Sequence, residues 1–127
     1  MTLLTYLVED NPLVREHLAD ALRDTAPVQI VGEADSESSA VYWLTRPAAN
    51  WDLAVVDLAL REGTGLGVIE RCARQFPDRK MVVLSNHASP GLSAHCLARG
   101  ADAVFDKSLD IDRFSAYCTT LSRTQRS

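Results

Sequence analysis

Glu9 and Asp10 stand side by side in LVEDNP, Asp57 ends the run LAVVD, Ser85 ends KMVVLS, and Lys107 follows GADAVFD. Adjacent carboxylates repel each other unless solvent separates them or a cation holds them together. Brought into one crevice, these acids would suit a hard cation such as Mg²⁺, which takes one or two carboxylates with a carbonyl, waters and a phosphate oxygen. Lys107 would place a point charge on a phosphoryl oxygen, and Ser85 would offer a rotatable donor. A carboxylate in such company is a reasonable phosphoryl acceptor, because that transfer depends mainly on positioning and charge neutralisation.

Whether these residues meet depends on the elements that carry them. Short apolar runs at 3–8, 28–34, 53–58, 80–85 and 101–105 read as strands. The third and fourth are nearly continuous in Val, Leu and Ala, as expected of central parallel strands covered on both faces. Helical stripes fall between them. Val14, Leu18, Ala21 and Leu22 form one stripe in 12–25, after an Asn11 cap and a Pro12 at the first helical position. Leu66, Ile69, Ala73 and Phe76 form another before Pro77, and Ile111, Phe114, Cys118 and Leu121 a third in 111–122. Residues 36–46 read as a helix ended by Pro47. Residues 90–99 carry the weakest stripe, in Leu92, Cys96 and Leu97.

Strands alternating with helices predict an α/β fold: a doubly wound five-stranded parallel sheet with right-handed crossovers and helices on both faces. In such sheets ligands bind outside the carboxyl ends of the strands. Glu9, Asp10, Asp57 and Ser85 all sit at that edge, and Lys107 just beyond it. Singly, each has a plain reading: a solvated helix N-terminus for the acid pair, a surface lysine, a strand-end serine. Asp57 alone resists one, since an acid ending so apolar a strand needs a partner. Their common edge is what favours chemistry.

Composition narrows the classes. The 127 residues are 46% hydrophobic and 24% charged, an ordinary globular balance, with a net charge of −4 that does not favour a nucleic-acid surface. No apolar run is long enough to span a membrane, and no leader pattern is present, so a cytoplasmic domain is expected. Cys72, Cys96 and Cys118 lack CxxC spacing and read as free thiols in a core. His17 and His95 lack metal-ligand spacing; Trp43 and Trp51 read as packing and loop cover; His87 lies at the rim, two residues past Ser85.

As an ordered set these segments resemble the response-regulator receiver domains of two-component signalling. VEDNPLVRE is similar to the acidic pair and first helix of that family. AVVDLALREGTGLGVIE resembles its phosphoacceptor strand and loop, VVLSNH its Ser/Thr strand, and GADAVFDKS its lysine strand. The resemblance implies the flavodoxin-like strand order 2-1-3-4-5 and a domain over 1–122, followed by a short tail at 123–127. It implies that Asp57 accepts a phosphoryl group from a sensor histidine kinase or phosphotransfer protein. The domain would catalyse that transfer itself and also its own dephosphorylation. Asp10 would bind Mg²⁺ directly, Glu9 through water, and the Ala59 backbone carbonyl would be a further ligand. Ser85 would hydrogen-bond the phosphoryl group and Lys107 would pair with it. The fourth helix, fifth strand and fifth helix would form the output or homodimer surface, with no nucleic acid or membrane bound by the domain itself.

Four positions depart from the family pattern. Asn86 follows Ser85 in place of a small residue, Ser108 follows Lys107 in place of proline, and Arg61 stands where a proline is frequent. The usual switch aromatic position is Val104, with Phe105 beside it and therefore on the opposite strand face. The route from phosphorylation to output is thus expected to differ from the usual aromatic coupling. Other readings of the same edge are a phosphorylation-independent interaction module, a flavodoxin-like flavin or nucleotide binder, and a haloacid-dehalogenase-type phosphatase. The flavin reading lacks a Ser/Thr/Gly nest after the first strand. The phosphatase reading needs a second acid where Ala59 stands.

Overall fold

The alternation of apolar runs and helical stripes becomes, in a computed structural model, five parallel strands alternating with five helices. The structure describes residues 2–86 and 88–124. Chain order is β1 (Leu3–Val8), α1 (Pro12–Thr25), β2 (Val28–Ala34), α2 (Glu37–Leu44), β3 (Leu53–Asp57), α3 (Gly65–Cys72), β4 (Lys80–Ser85), α4 (Pro90–Ala98), β5 (Ala103–Asp106) and α5 (Ile111–Thr124). The sheet order is β2-β1-β3-β4-β5, with every pairing parallel. This is the doubly wound, flavodoxin-like order expected from the sequence. Its reversal point lies between β1 and β3, the strands that deliver Glu9, Asp10 and Asp57.

Local chemistry sets the boundaries. Asn11 Oδ1 accepts from the backbone N–H of Leu13 at 2.9 Å and of Val14 at 3.1 Å, so α1 begins directly after the acid pair. Ser36, Thr64 and Ser89 cap α2, α3 and α4 in the same way. β5 starts two residues later than the apolar run does, because Asp102 acts as a bracket: its carboxylate accepts from Met81 N–H at 2.8 Å. α3 tightens into a 3₁₀ turn at Ala73–Gln75 instead of continuing to Phe76. α5 runs on to Thr124, two residues beyond the expected 122, and residues 125–127 of the expected tail lie outside the described residues.

The sheet separates two apolar layers. On one face Val68, Ile69 and Cys72 of α3 and Cys96 of α4 pack on Val56 and Val83. On the other, Leu22 of α1 and Phe114, Cys118 and Leu121 of α5 pack on Leu7, Val55 and Leu84. All three cysteines are buried and free, and burial pushes the Cys118 thiol up to about 12 and the Cys72 thiol up to about 11. Trp51 is fully buried, with Phe76 edge-on against it, and Trp43 stacks on Tyr6 at 4.3 Å between centroids. Both tryptophans are therefore packing residues, as their positions implied. One stripe residue is placed differently: Val14 is 36% exposed and lines a groove with His17, Lys107 and Ile111, while Ala19 takes a buried place in α1. The first turn of α1 thus borders the strand-end crevice and not the core.

Candidate functional site

Glu9 leaves β1 with its amide donating to Ala34 O at 3.0 Å, so the residue after the strand is still held at the sheet edge. Arg15, one turn into α1, donates from its guanidinium to Glu9 O at 2.8 Å and pairs with Glu33 at 3.2 Å. These anchors turn the Glu9 side chain inward, where it is only 2% exposed. Asp57, the last residue of β3, meets it there. One carboxylate oxygen from each of Glu9, Asp10 and Asp57 lies within 4.8 Å of the others.

Lys107 reaches into this group from the turn after β5. Its Nζ donates to Glu9 Oε1 at 2.5 Å and to Asp57 Oδ2 at 3.0 Å. Its backbone N–H donates to Ser85 O at 2.9 Å, which ties the ends of β4 and β5 together. Leu84 is the register partner of Asp57, so Ser85 stands one residue past it at the same edge. Every sequence-predicted site residue is therefore at one edge. The geometry joins Glu9, Asp10, Asp57 and Lys107 directly and sets Ser85 beside them through the lysine backbone. Ala59 N–H points back to Asp57 Oδ1 at 3.4 Å. His87 lies outside the described residues.

The electrostatics follow from burial and unequal charge. Burial holds the Glu9 carboxyl above its ordinary range, the Asp57 charge adds to this, and the hydrogen bond from Lys107 works against it. Burial also opposes the Lys107 charge, but the hydrogen bonds and charges of Glu9 and Asp57 outweigh it, so its pKa lies above the usual lysine value. One ammonium among three carboxylates leaves an excess of negative charge. An oxygen-rich, partly buried and incompletely neutralised group of this kind suits a hard divalent cation.

Residues without an obvious sequence signature support the edge. A Cβ on Gly65 would collide with the backbone oxygen of Asp57, so α3 can start this close to the acid only with glycine there. Its N–H donates to Leu58 O at 3.0 Å. Gly65 lies within the glycine-rich loop EGTGLG, yet nothing in the spacing singles it out. Arg15 likewise reads in the sequence as one more polar residue of an amphipathic helix.

A family model for the response regulator receiver domain matches residues 5–119. The chain is a response regulator receiver domain. It is 30% identical to the DNA-binding transcriptional activator DevR/DosR of Mycobacterium tuberculosis over 82% of this chain and 47% of that protein. It is 31% identical to the response regulator UvrY of Escherichia coli over 80% of this chain and 45% of that protein. The receiver domain thus spans about half the length of the curated relatives it matches. Its fold is similar to the receiver domain of the putative regulator NarL from Mycobacterium tuberculosis, with TM-score 0.78, 24% identity, and coverage of 94% of this chain and 97% of that one. Family membership favours the signalling reading over the flavin binder and the phosphatase. Among the described residues no helix is long and apolar enough to cross a membrane.

Proposed function

We propose that Asp57 is the phosphoacceptor of this receiver domain and that the domain catalyses its own phosphorylation. The observation that carries this reading is the Lys107 ammonium shared between Glu9 and Asp57, with Asp10 completing the acid group. In the transfer, an Asp57 carboxylate oxygen forms a bond to phosphorus as the bond to the phosphohistidine nitrogen of a sensor kinase or phosphotransfer protein breaks. The imidazole leaves with the electron pair of that bond. Asp10, Asp57, Glu9 through water and the Ala59 carbonyl would hold Mg²⁺, which when bound would supply charge neutralisation for the phosphoryl oxygens. Lys107 moves its ammonium from the carboxylates to a phosphoryl oxygen, and the Ser85 hydroxyl donates to another. In autodephosphorylation a water oxygen bonds to phosphorus as the Asp57 Oδ–phosphorus bond breaks; the carboxylate leaves with that electron pair, and the protons of the water go to the released phosphate and solvent.

The same reading docks the kinase partner at the rim of this crevice. Leu13, in the first turn of α1, is 60% exposed and Leu109, in the turn after β5, is 83% exposed, and Val14 and Lys107 line the groove between these two segments. Output is assigned to the α4–β5–α5 face, where a cavity of about 700 Å³ is lined by Leu97, Val104, Arg113 and Tyr117 among others. That face is also the expected homodimer surface. On this reading the functional unit, in the cytoplasm, runs through the end of α5 at Thr124, two residues past the expected boundary at 122.

The experiment is incubation with a small phosphodonor, acetyl phosphate, and Mg²⁺, read by intact mass and by hydroxylamine sensitivity of the adduct. One added phosphoryl group, labile to hydroxylamine and lost in Asp57→Asn, is the expected result. No Mg²⁺-dependent adduct on the wild type, together with no binding of beryllofluoride, would overturn the reading.

A further inference from the structure

Glu37, in the first turn of α2, holds the loop that follows the phosphoacceptor. Its Oε1 accepts from Thr64 N–H at 2.8 Å, its Oε2 lies 3.4 Å from the Arg71 guanidinium, and its own N–H donates to Glu62 O at 2.9 Å. Three segments of chain thus meet on one carboxyl-bearing residue whose side chain is 19% exposed. The loop is shaped to receive it. Gly63 has φ +75°, a conformation that side chains rarely adopt, and a Cβ there would collide with Glu37. A Cβ on Gly67 would collide with the Glu37 carboxylate itself. The carboxylate therefore fills space that both glycines leave open, at the N-terminal end of α3, where a negative charge is favoured by the helix dipole.

Thr64 carries this contact inward. It forms an antiparallel bridge with Ala59, and its hydroxyl accepts from Gly67 N–H at 3.0 Å to start α3. Ala59 in turn donates to Asp57 Oδ1. The bond beside this bridge runs from Gly65 N–H to Leu58 O at 3.0 Å, so Glu37, by holding Thr64, holds the strand of loop that lies against Leu58 and Ala59. Glu37 itself bonds to Thr64, Arg71 and Glu62 and lies outside the acid group of Glu9, Asp10 and Asp57, so it is not a ligand. We propose that Glu37 is a positioning residue that, through Thr64, fixes the Ala59 carbonyl and so sets the affinity of the acid group for Mg²⁺. This rests on the reading of Asp10, Asp57 and Ala59 as the Mg²⁺ site.

Partners standing behind metal ligands are the residues whose loss weakens metal binding without removing a ligand. Glu37→Ala removes the acceptor for Thr64 N–H and frees the loop. Glu37→Gln keeps a carbonyl acceptor there and gives up the charge that faces Arg71 and the N-terminal end of α3. The test is a backbone amide NMR titration of the whole chain with MgCl₂, followed at Asp57 and Ala59 well below the melting temperature, alongside thermal melts. Glu37→Ala is expected to bind Mg²⁺ about 10-fold more weakly than wild type, at the lower end of the range for such partners. Glu37→Gln is expected to stay close to wild type. A purely structural role would lower the melting temperature of Glu37→Ala and leave its Mg²⁺ affinity unchanged, which would overturn the proposal while the Mg²⁺ reading stands. A wild type that does not titrate would instead overturn the Mg²⁺ reading and this proposal with it. Should Glu37→Ala fail to fold, Glu37→Asp draws the carboxylate back by one methylene at constant charge, and the same weakening is expected; an unchanged affinity there overturns the proposal.

Discussion

The ammonium of Lys107 lies 2.5 Å from Glu9 Oε1, joining residues 98 positions apart in the chain, and the same nitrogen lies 3.0 Å from Asp57. The two ends of the molecule are therefore held at the site by one side chain. Removing one member of a buried ion pair leaves the other uncompensated and costs about 3–5 kcal/mol. Lys107→Ala is expected to lose about 3 kcal/mol in metal-free urea denaturation. MgCl₂ should restore more stability to the variant than it adds to wild type, because the cation then takes over the neutralising role. Equal Mg²⁺ effects on the two proteins would contradict this.

Glu9 gives the site a pH signature. Its folded pKa is raised above the ordinary carboxyl value, so the folded state holds this proton more tightly than the unfolded chain does. Stability from this group is then fully present below the unfolded pKa and is lost as pH rises through the folded one. In metal-free buffer, Glu9→Gln should therefore melt higher than wild type at neutral pH. The difference should shrink as pH falls through the window between the two pKa values. Melting curves of both proteins across mildly acidic to neutral pH check the sign.

Gly65→Ala tests how closely α3 must approach the acceptor. The added methyl meets the Asp57 backbone oxygen, so either α3 or the end of β3 has to shift. The expected cost is about 1–3 kcal/mol, the usual range for an overpacked site. Phosphorylation by acetyl phosphate should slow as well, because Asp57 is displaced with its backbone. A variant as stable and as reactive as wild type would show that the approach is not needed.

Phe105 should behave as a core residue and not as a switch. It is 5% exposed and packs edge-on against Phe114 and Tyr117, with ring centroids at 5.3 and 5.5 Å. Phe105→Ala is expected to lose about 3–5 kcal/mol in urea denaturation. Phe105→Leu, which keeps most of the volume, should preserve the beryllofluoride-induced amide shifts across α4 and β5. Loss of those shifts in a folded Phe105→Leu would return a switching role to this ring.

Most of the fold was legible because its signals are local. β1, α1 and β2 begin and end where their apolar runs and the Asn11–Pro12 cap place them. The weak stripe of 90–99 matches a helix in which Cys96 is the buried side chain and Leu97 is 48% exposed. The acids and Lys107 were legible because each ends or follows a strand, and parallel topology sends all such ends to one edge. What stayed hidden depends on distant contact. Val14 has the spacing of a core residue but lies where α1 passes the end of the sheet. Glu37 gives no sign of holding Thr64, 27 residues away, because nothing in its own helix requires it. Asp102 looks like part of an apolar strand until its carboxylate is seen capping Met81.

Val104 packs into the apolar layer beneath α3 and α4, while Phe105, the next residue, packs into the opposite layer against α5. Lys107 follows directly after the same short strand. A pull on the lysine toward a new negative charge would therefore reach both layers at once, through two neighbouring residues of one strand. β5 is an edge strand with a neighbour on one side only, so it has room to tilt. The message leaving the site would then be carried by the angle of a strand, read simultaneously by the helices above and below it, without any ring having to turn.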